Sequence, residues 1–577
     1  MDGRRRSARL RPAVVLLGVV LVACALLIRL VDVQVVRADA LRTESKDRRS
    51  VAAVLPGPRG DVLDADGDVL ATTVTRYRVT AVPWIAAQAG DVDAAADRVA
   101  AALGIDAAGV RSALTADPKA AYALIAKQVT STAVDRLKRL GLGWVYTTAV
   151  SKRTYPSGSV AGNLVGFVGA DQQPQAGVEY GWNRCLAGTD GRSVAESALD
   201  GTPIPGTATT VSPAKPGGSV RLTIDRDLQY AAQQALAARA RQVGAKWGVV
   251  VVAEVRTGKL LAVADWPTVN PNDVSASDPS SLGSRAFTAP YEPGSTMKAV
   301  TASMLLDDHL ITPRTQVVVP YRLRTADGAD VNDSEQHGTE RLTTTGVLVQ
   351  SSNVGISKLG TAMSSALRLQ YLKKYGFGQA TEVGFGGEAT GDLGAAPDWD
   401  AQTRLATMFG QGLTTSAVQM ASAYQTIANG GVRMPLRLVQ SCTDADGTVH
   451  RTATGTARRV VAADAAKGTV RMLENVATKG WLKDDVRIPG YRVGIKTGTA
   501  QESDGTGGYA KGYLVSMAGV APADDPRYVV YVALDDAVKM NTSQATAPIW
   551  RGVMARALQG GGVVPSGSRS PDLPTDW

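Results

Sequence analysis

Tyr291-Glu292-Pro293-Gly294-Ser295-Thr296-Met297-Lys298 runs on into the apolar stretch AVTASMLL. Pro-Gly and then Ser ahead of an apolar run predict a helix that starts at Ser295. Ser295 and Lys298 are three residues apart and so share one face of that helix. A serine hydroxyl becomes a nucleophile only when a base takes its proton. Lysine is such a base only when burial and positive potential bring its pKa down from about 10.4. The helix N-terminus supplies part of that potential. Taken alone, the pattern fits a serine N-cap beside a solvated lysine equally well.

Two further motifs lie downstream. Ser351-Ser352-Asn353 follows Gly346 to Gln350, and its outer hydroxyl and amide are spaced to enter one cleft from a tight loop. Lys496-Thr497-Gly498-Thr499 is entered from Tyr491-Arg492-Val493. In a strand, Thr497 and Thr499 face the same way. Gly498 lets another backbone approach closely, which suits a peptide pairing along the strand edge. Lys496 adds a cation for a carboxylate. Each motif has a bland alternative as a turn or loop. Their combination, in the order SxxK, SxN, KTG, is the set shared by penicillin-binding proteins and serine β-lactamases.

The flanks predict the fold around these motifs. Val249 to Val255 and Lys259 to Ala264 read as two strands about Arg256-Thr257-Gly258. Tyr513 to Val520 and Tyr528 to Leu534 read as another pair, and Pro548 to Leu558 as a closing amphipathic helix. Asp225 to Gln242 reads as a helix with Leu228, Ala231, Ala232, Ala235 and Leu236 on one face. Strand pairs first and last with helices between predict an α+β domain whose sheet joins its two ends. The Pro/Gly/Thr-rich Thr202 to Gly218 is a candidate domain boundary. Before it, Asp61-Val62-Leu63-Asp64 is a short strand, Ala65 to Asp68 a turn, and Asp91 to Leu114 and Thr132 to Leu140 carry helical spacing.

The N-terminus decides the compartment. Ala13 to Ile28 are sixteen uninterrupted apolar or small residues, about 24 Å of helix against a hydrocarbon core of ~30 Å. Arg29 snorkels and the apolar run resumes at Leu30-Val31, so a span of Pro12 to Val31 is expected. Arg4, Arg5, Arg6, Arg9 and Arg11 precede it and should stay in the cytoplasm. Leu21-Val22-Ala23-Cys24 also fits a lipobox, and a cleaved signal peptide has the same order of charge and apolarity. All three alternatives put the body of the chain outside the cytoplasm.

With 577 residues, 44% hydrophobic and 20% charged, the chain is a folded protein of two or more domains. Of the net charge of +9, +4 sits in the first twelve residues. No basic stripe with stacking aromatics accompanies it, so nucleic acid is not the expected partner. Cys24, Cys185 and Cys442 match no zinc spacing. At most one disulfide joins the last two, and two unpaired cysteines are the expectation. His309, His337 and His450 form no HExxH, so neither a metal nor another cofactor is expected.

Beyond its three motifs the chain resembles the class B penicillin-binding proteins, over about residues 29 to 558. Arg59-Gly60-Asp61-Val62-Leu63-Asp64 with Gly67 and Leu70-Ala71 resembles the family's RGxIxDRNGxxLA segment. Arg153 to Gly158 resembles RxYPxG, and Gly177-Val178-Glu179 with Leu186 to Gly191 resembles GLE…LxGxxG. Gly410-Gln411-Gly412 and Ala428 to Gly431 resemble GQG and ANGG. Tyr180-Gly181-Trp182 replaces the usual continuation after GLE, and Asp64-Ala65-Asp66 lacks the family's Arg. No glycosyltransferase domain before Arg59 and no PASTA module after Leu558 is expected. The pattern is most similar to the septal, division-type enzymes.

The resemblance implies an α+β protein with an N-terminal transmembrane helix, an elongated membrane-proximal pedestal of the dimerisation type, and a transpeptidase domain whose central antiparallel sheet is flanked by helices. The expected divisions are a cytoplasmic basic tail (1–12), an anchor (13–31), the pedestal (32–212), the catalytic domain (213–559) and a disordered tail (560–577). It also implies a peptidoglycan D,D-transpeptidase. Ser295 attacks the D-Ala-D-Ala carbonyl of a stem peptide and Lys298 accepts its proton. The N–H groups of Ser295 and Thr499 form an oxyanion hole, and Ser351 and Lys496 pass a proton to the departing D-Ala. Asn353 holds the peptide amide, while Thr497, Gly498 and Thr499 bind substrate. β-Lactams acylate Ser295, and the implied partners are a SEDS-type glycan polymerase and other divisome membrane proteins. A D,D-carboxypeptidase, a β-lactamase-like hydrolase and a non-catalytic division scaffold are the rival classes.

Overall fold

The computed structural model describes residues 3–169, 171–197, 204, 207–503 and 509–577. Part of the 202–218 boundary loop lies outside the described residues. The chain forms two compact units. One comprises Met1–Pro58, Val74–Lys152 and Gly188–Pro216, the other Arg59–Thr73, Arg153–Ala187 and Gly217–Trp577.

In the first unit, α1 (Gly3–Val31) carries the apolar run and continues through a π-helical turn to Val36. Within Pro12–Val36 an 18-residue window has a mean hydropathy of 3.0 and is not buried, so this helix is long and apolar enough to cross a membrane. Farther along, the helical spacing resolves into α2 (Val92–Leu103), α3 (Ala107–Thr115) and α4 (Ser131–Lys138). Gly104 ends α2 in the left-handed region, and Asp106 caps α3 through the Gly109 N–H. Val99, Leu103, Val110, Leu114, Val134 and Leu137 form the core between them. Gly191–Glu196 is the middle strand of a separate antiparallel sheet, between Ser50–Leu55 and Thr209–Ser212.

The second unit is built on a five-stranded sheet. Helix α5 (Arg226–Val243) leads into β1 (Trp247–Glu254) and β2 (Leu260–Trp266). The middle of the chain forms α6 (Met297–Asp307), α7 (Thr344–Val349), α8 (Asn353–Gly360), α9 (Ala417–Ala428) and α10 (Ala463–Lys479). It returns as β3 (Gly494–Ser503), β4 (Tyr509–Ala521) and β5 (Tyr528–Asp535), and closes with α11 (Ala547–Gly560). The order is β2-β1-β5-β4-β3, antiparallel throughout, so β1 and β5 join the two ends of the domain as expected. Successive residues serve opposite cores. Val249 and Val251 pack with Met420 and Tyr424 of α9. Val250 and Val252 pack with Leu236 of α5 and Trp550 of α11.

Three features differ from expectation. First, the buried face of α5 includes Gln229 and Gln233, whereas Ala231 and Ala235 are only half-buried. Gln229 exchanges two 2.7 Å hydrogen bonds with the Val263 backbone and so clips the helix to edge strand β2. A binary apolar/polar pattern cannot separate such a satisfied amide from a solvated one.

Second, Cys185 and Cys442 form a disulfide, which corrects the expectation of free thiols. Strand Val439–Thr443 pairs with Ser219–Leu222, setting Cys442 opposite Val220, and the Gly218 N–H bonds the Cys185 carbonyl at 2.9 Å. Third, the tail after Gly560 is ordered rather than disordered. Thr343 donates from N to Thr575 O (3.0 Å) and from Oγ1 to Pro574 O (2.6 Å), Asn475 holds Pro571 O and Leu573 N, and Arg341 lies over the Trp577 ring.

Candidate active site

Ser295 stands in a 3-10 turn, Gly294–Thr296, that passes directly into α6. Gly294 has φ +56°, and a Cβ there would sit 2.7 Å from the Thr499 carbonyl oxygen. The turn is therefore pressed against β3, and only glycine fits both the backbone angle and the gap. Met297 through Leu305 are all buried. That is why Lys298, one turn from the nucleophile, is fully enclosed while Ser295 is half-buried.

The three motifs meet around Ser351. Lys298 Nζ donates to Ser295 Oγ at 2.9 Å, to the Ser351 carbonyl, and to Ser351 Oγ at 3.3 Å. Lys496 Nζ donates to the same Ser351 Oγ at 2.8 Å. Ser351 occupies the short link between α7 and α8 and has φ +59°. A non-glycine residue held there carries about 1–3 kcal/mol of strain. Asn353, at the first position of α8, donates its amide to Asn332 O at 3.0 Å.

Strand β3 is the outer edge of its sheet. Thr497 O accepts from Lys496 Nζ at 3.1 Å. Alternate residues of a strand present N–H and C=O to the same side. Thr497 and Thr499 therefore both turn their backbone groups away from β4, and the closeness of Thr499 O to Gly294 shows that this free side faces the nucleophile turn. Gly498 also packs against that turn, where a Cβ would meet Thr296 Cγ2 at 3.0 Å as well as Ser516 Oγ at 2.3 Å.

Two buried amines side by side set the electrostatics. Burial and then the neighbouring Lys496 charge hold Lys298 well below the usual lysine range, and Asp333 pulls weakly in the opposite direction. Burial alone lowers Lys496 to about 7. Amines lowered in this way are suited to exchange protons near neutral pH, and Lys298 is the one that reaches the nucleophile. Thus Ser295, Lys298, Ser351 and Lys496 form one connected cluster, with Asn353, Thr497, Gly498 and Thr499 along its walls.

Sequence reading missed two contributors. Asp333 accepts from Ser352 Oγ at 2.7 Å and from the Val354 N–H at 3.0 Å. Glu292 accepts from the Gly412 N–H at 2.8 Å and from Tyr509 OH at 3.3 Å, and burial raises its pKa. Gly412 belongs to the Gly410-Gln411-Gly412 segment, so the adjacency of Glu292 to Ser295 was the available signal.

The chain is similar to known proteins over most of its length. Residues 248–555 match the penicillin binding protein transpeptidase domain, and residues 54–222 match the penicillin-binding protein dimerisation domain. The penicillin-binding protein PbpB of Mycolicibacterium smegmatis is 32% identical, over 95% of this chain and 89% of that protein. The peptidoglycan D,D-transpeptidase FtsI of Escherichia coli is 32% identical, over 94% of this chain and 91% of its own length. Penicillin binding protein 3 of Mycobacterium tuberculosis, solved as a complex with aztreonam, is 28% identical with a TM-score of 0.69, covering 91% of this chain and 100% of that one.

Proposed function

This chain belongs to the penicillin-binding protein transpeptidase family, and we propose that it crosslinks peptidoglycan stem peptides in septal wall synthesis through an acyl-enzyme on Ser295. It is a membrane-anchored D,D-transpeptidase that binds β-lactams. The observation that carries the residue assignment is the position of Ser351 Oγ between two buried amines, one of which also reaches the nucleophile.

In this reading Ser295 Oγ bonds to the penultimate D-Ala carbonyl carbon while its proton passes to Lys298. The N–H groups of Ser295 and Thr499 receive the oxyanion, and losing one such donor lowers the rate by ~10²–10³. The C–N bond to the terminal D-Ala then breaks. Lys496, through Ser351 Oγ, supplies the proton that the departing amine takes. Asn353 holds the peptide amide, and the KTGT edge binds the backbone and terminal carboxylate. The amine of a second stem peptide attacks the ester, forms the crosslink and frees Ser295. β-Lactams enter by the same acylation.

The arginines before α1 support a cytoplasmic N-terminus with the catalytic unit outside. A SEDS-type glycan polymerase and other divisome membrane proteins are the proposed partners. The proposed divisions remain a tail at 1–12, an anchor at 13–31, a pedestal at 32–212 and a catalytic domain at 213–559. A fluorescent penicillin tests the site. Stable label on the parent and none on Ser295→Ala supports it, whereas rapid label turnover indicates a β-lactamase and an unlabelled parent indicates a scaffold. Crosslinked dimer as product, rather than trimmed monomer, distinguishes the transpeptidase from a carboxypeptidase.

A further inference from the structure

We propose that Asp333 is a positioning residue for the reaction, holding the Ser351 link so that its hydroxyl stays between Lys298 and Lys496. The proposal rests on the acyl-serine reading above. Ser351 sits in a left-handed backbone conformation that a serine does not adopt without support. Its carbonyl is held by Lys298 from one side. On the other side the chain enters α8, whose first N–H groups lack partners within the helix. Ser352 Oγ accepts one of them, from Gly355 at 2.7 Å, and donates its own proton to Asp333 Oδ2 at 2.7 Å. Asp333 Oδ1 accepts the Val354 N–H at 3.0 Å. One carboxylate therefore holds Ser352 and Val354, the first and third residues after the strained one.

Asp333 is itself held. It is 6% exposed, and His337 Nε2 lies 3.0 Å from its Oδ2. His337 Nδ1 faces the Gly338 carbonyl at 2.5 Å. Both ring nitrogens thus face acceptors, which is the arrangement of an imidazolium. Burial opposes that charge, but the Gly338 carbonyl, Asp333 and Glu340 outweigh it and raise the histidine pKa. The charged groups about Asp333 are then His337, with Glu340 beyond it, and Lys298, which has Lys496 as its own neighbour. The carboxylate sets the loop geometry and also places a negative charge where it acts on the proposed base.

The test is the second-order rate of acylation by a fluorescent penicillin, measured against pH on the full-length protein in detergent, with thermal melts alongside. Asp333→Asn keeps the shape but presents an NH₂ group to donors and removes the charge. Its acylation rate should fall about 10–100-fold, the scale on which small misplacements slow a reaction. Its acid limb should also move to lower pH, because the charge that favours protonated Lys298 is gone. Ser352→Ala removes the bond to Asp333 and the bond from the Gly355 N–H but keeps the carboxylate charge, and it provides the same rate test if the first variant does not fold; about a tenfold loss with an unmoved limb is expected. Parental rates in either folded variant, or a uniform loss in Asp333→Asn with its acid limb fixed, would overturn the proposal while leaving Ser295 labelling intact. An unlabelled parent would overturn the acyl-serine reading, and this proposal with it.

Discussion

Two groups of buried charge in the second unit are handled in opposite ways. At the first, Glu179 is fully buried and accepts from Arg59 Nε and Nη2 at 3.0 and 2.8 Å and from Arg153 Nε at 2.6 Å. Arg59 also donates to Glu179 O and Asn183 Oδ1, and Arg153 to Gly60 O and Thr73 Oγ1. At the second, Lys298 and Lys496 are equally buried, but no carboxylate lies within ion-pair distance of either among the described residues. An arginine holds its proton far more firmly than a lysine, and at Arg59 and Arg153 the Glu179 carboxylate supplies the counter-charge. A lysine without one lowers its pKa instead. The first cluster is built to stay charged, and the second to exchange protons.

Breaking each cluster separates these roles. The largest effect is expected at the nucleophile: Ser295→Ala should lower turnover by about 10⁶-fold and abolish the covalent penicillin label, with a melting curve close to the parent's. Glu179→Ala leaves two buried guanidinium groups without their carboxylate. It should destabilise the fold by about 3–5 kcal/mol, read by denaturant unfolding of the second unit. Cys185→Ser should remove about 2–4 kcal/mol in an oxidising buffer, and a reductant should lower the parent's melting point but not the variant's.

The smallest effect carries the opposite sign. The folded pKa of Lys496 is about 7 against 10.5 unfolded, so the unfolded chain binds the extra proton between those values. This residue's penalty is complete below about pH 7 and fades as pH rises toward 10.5. Lys496→Met should therefore stabilise the protein at pH 6, on the order of 1 kcal/mol or more, while acylation is lost. The gain should vanish in melts run above pH 10.

The catalytic cluster was more legible in the sequence than the structural one. Ser295 and Lys298 are one helical turn apart, and the KTGT strand announces itself by alternation around a glycine, so local spacing carries their geometry. The strand pairs β1–β2 and β4–β5 were legible for the same reason. Asp333 was not, because it is 19 residues from Ser352 in a separate segment and neither it nor its partner His337 belongs to a motif. The Cys185–Cys442 bond joins positions 257 residues apart, and only the pairing of Val439–Thr443 with Ser219–Leu222 brings them together. Arg59–Thr73 and Arg153–Ala187 cluster with the second unit, although a linear reading groups them with the segment before residue 212. The tail from Gly560 looked unstructured by composition, yet its backbone carbonyls serve as acceptors for Thr343 and Asn475.

The contrast between the two clusters comes down to whether Lys298 is neutral when the enzyme works. The pH dependence of the acylation rate constant for a fluorescent penicillin tests this directly. With Lys298 held well below an ordinary lysine, acylation should already proceed at neutral pH and should fall as the solution is made acidic, with a second fall on the alkaline side as Lys496 loses its proton. A rate that stays low at neutrality and rises only toward ~10.4, where a free lysine loses its proton, would contradict the account.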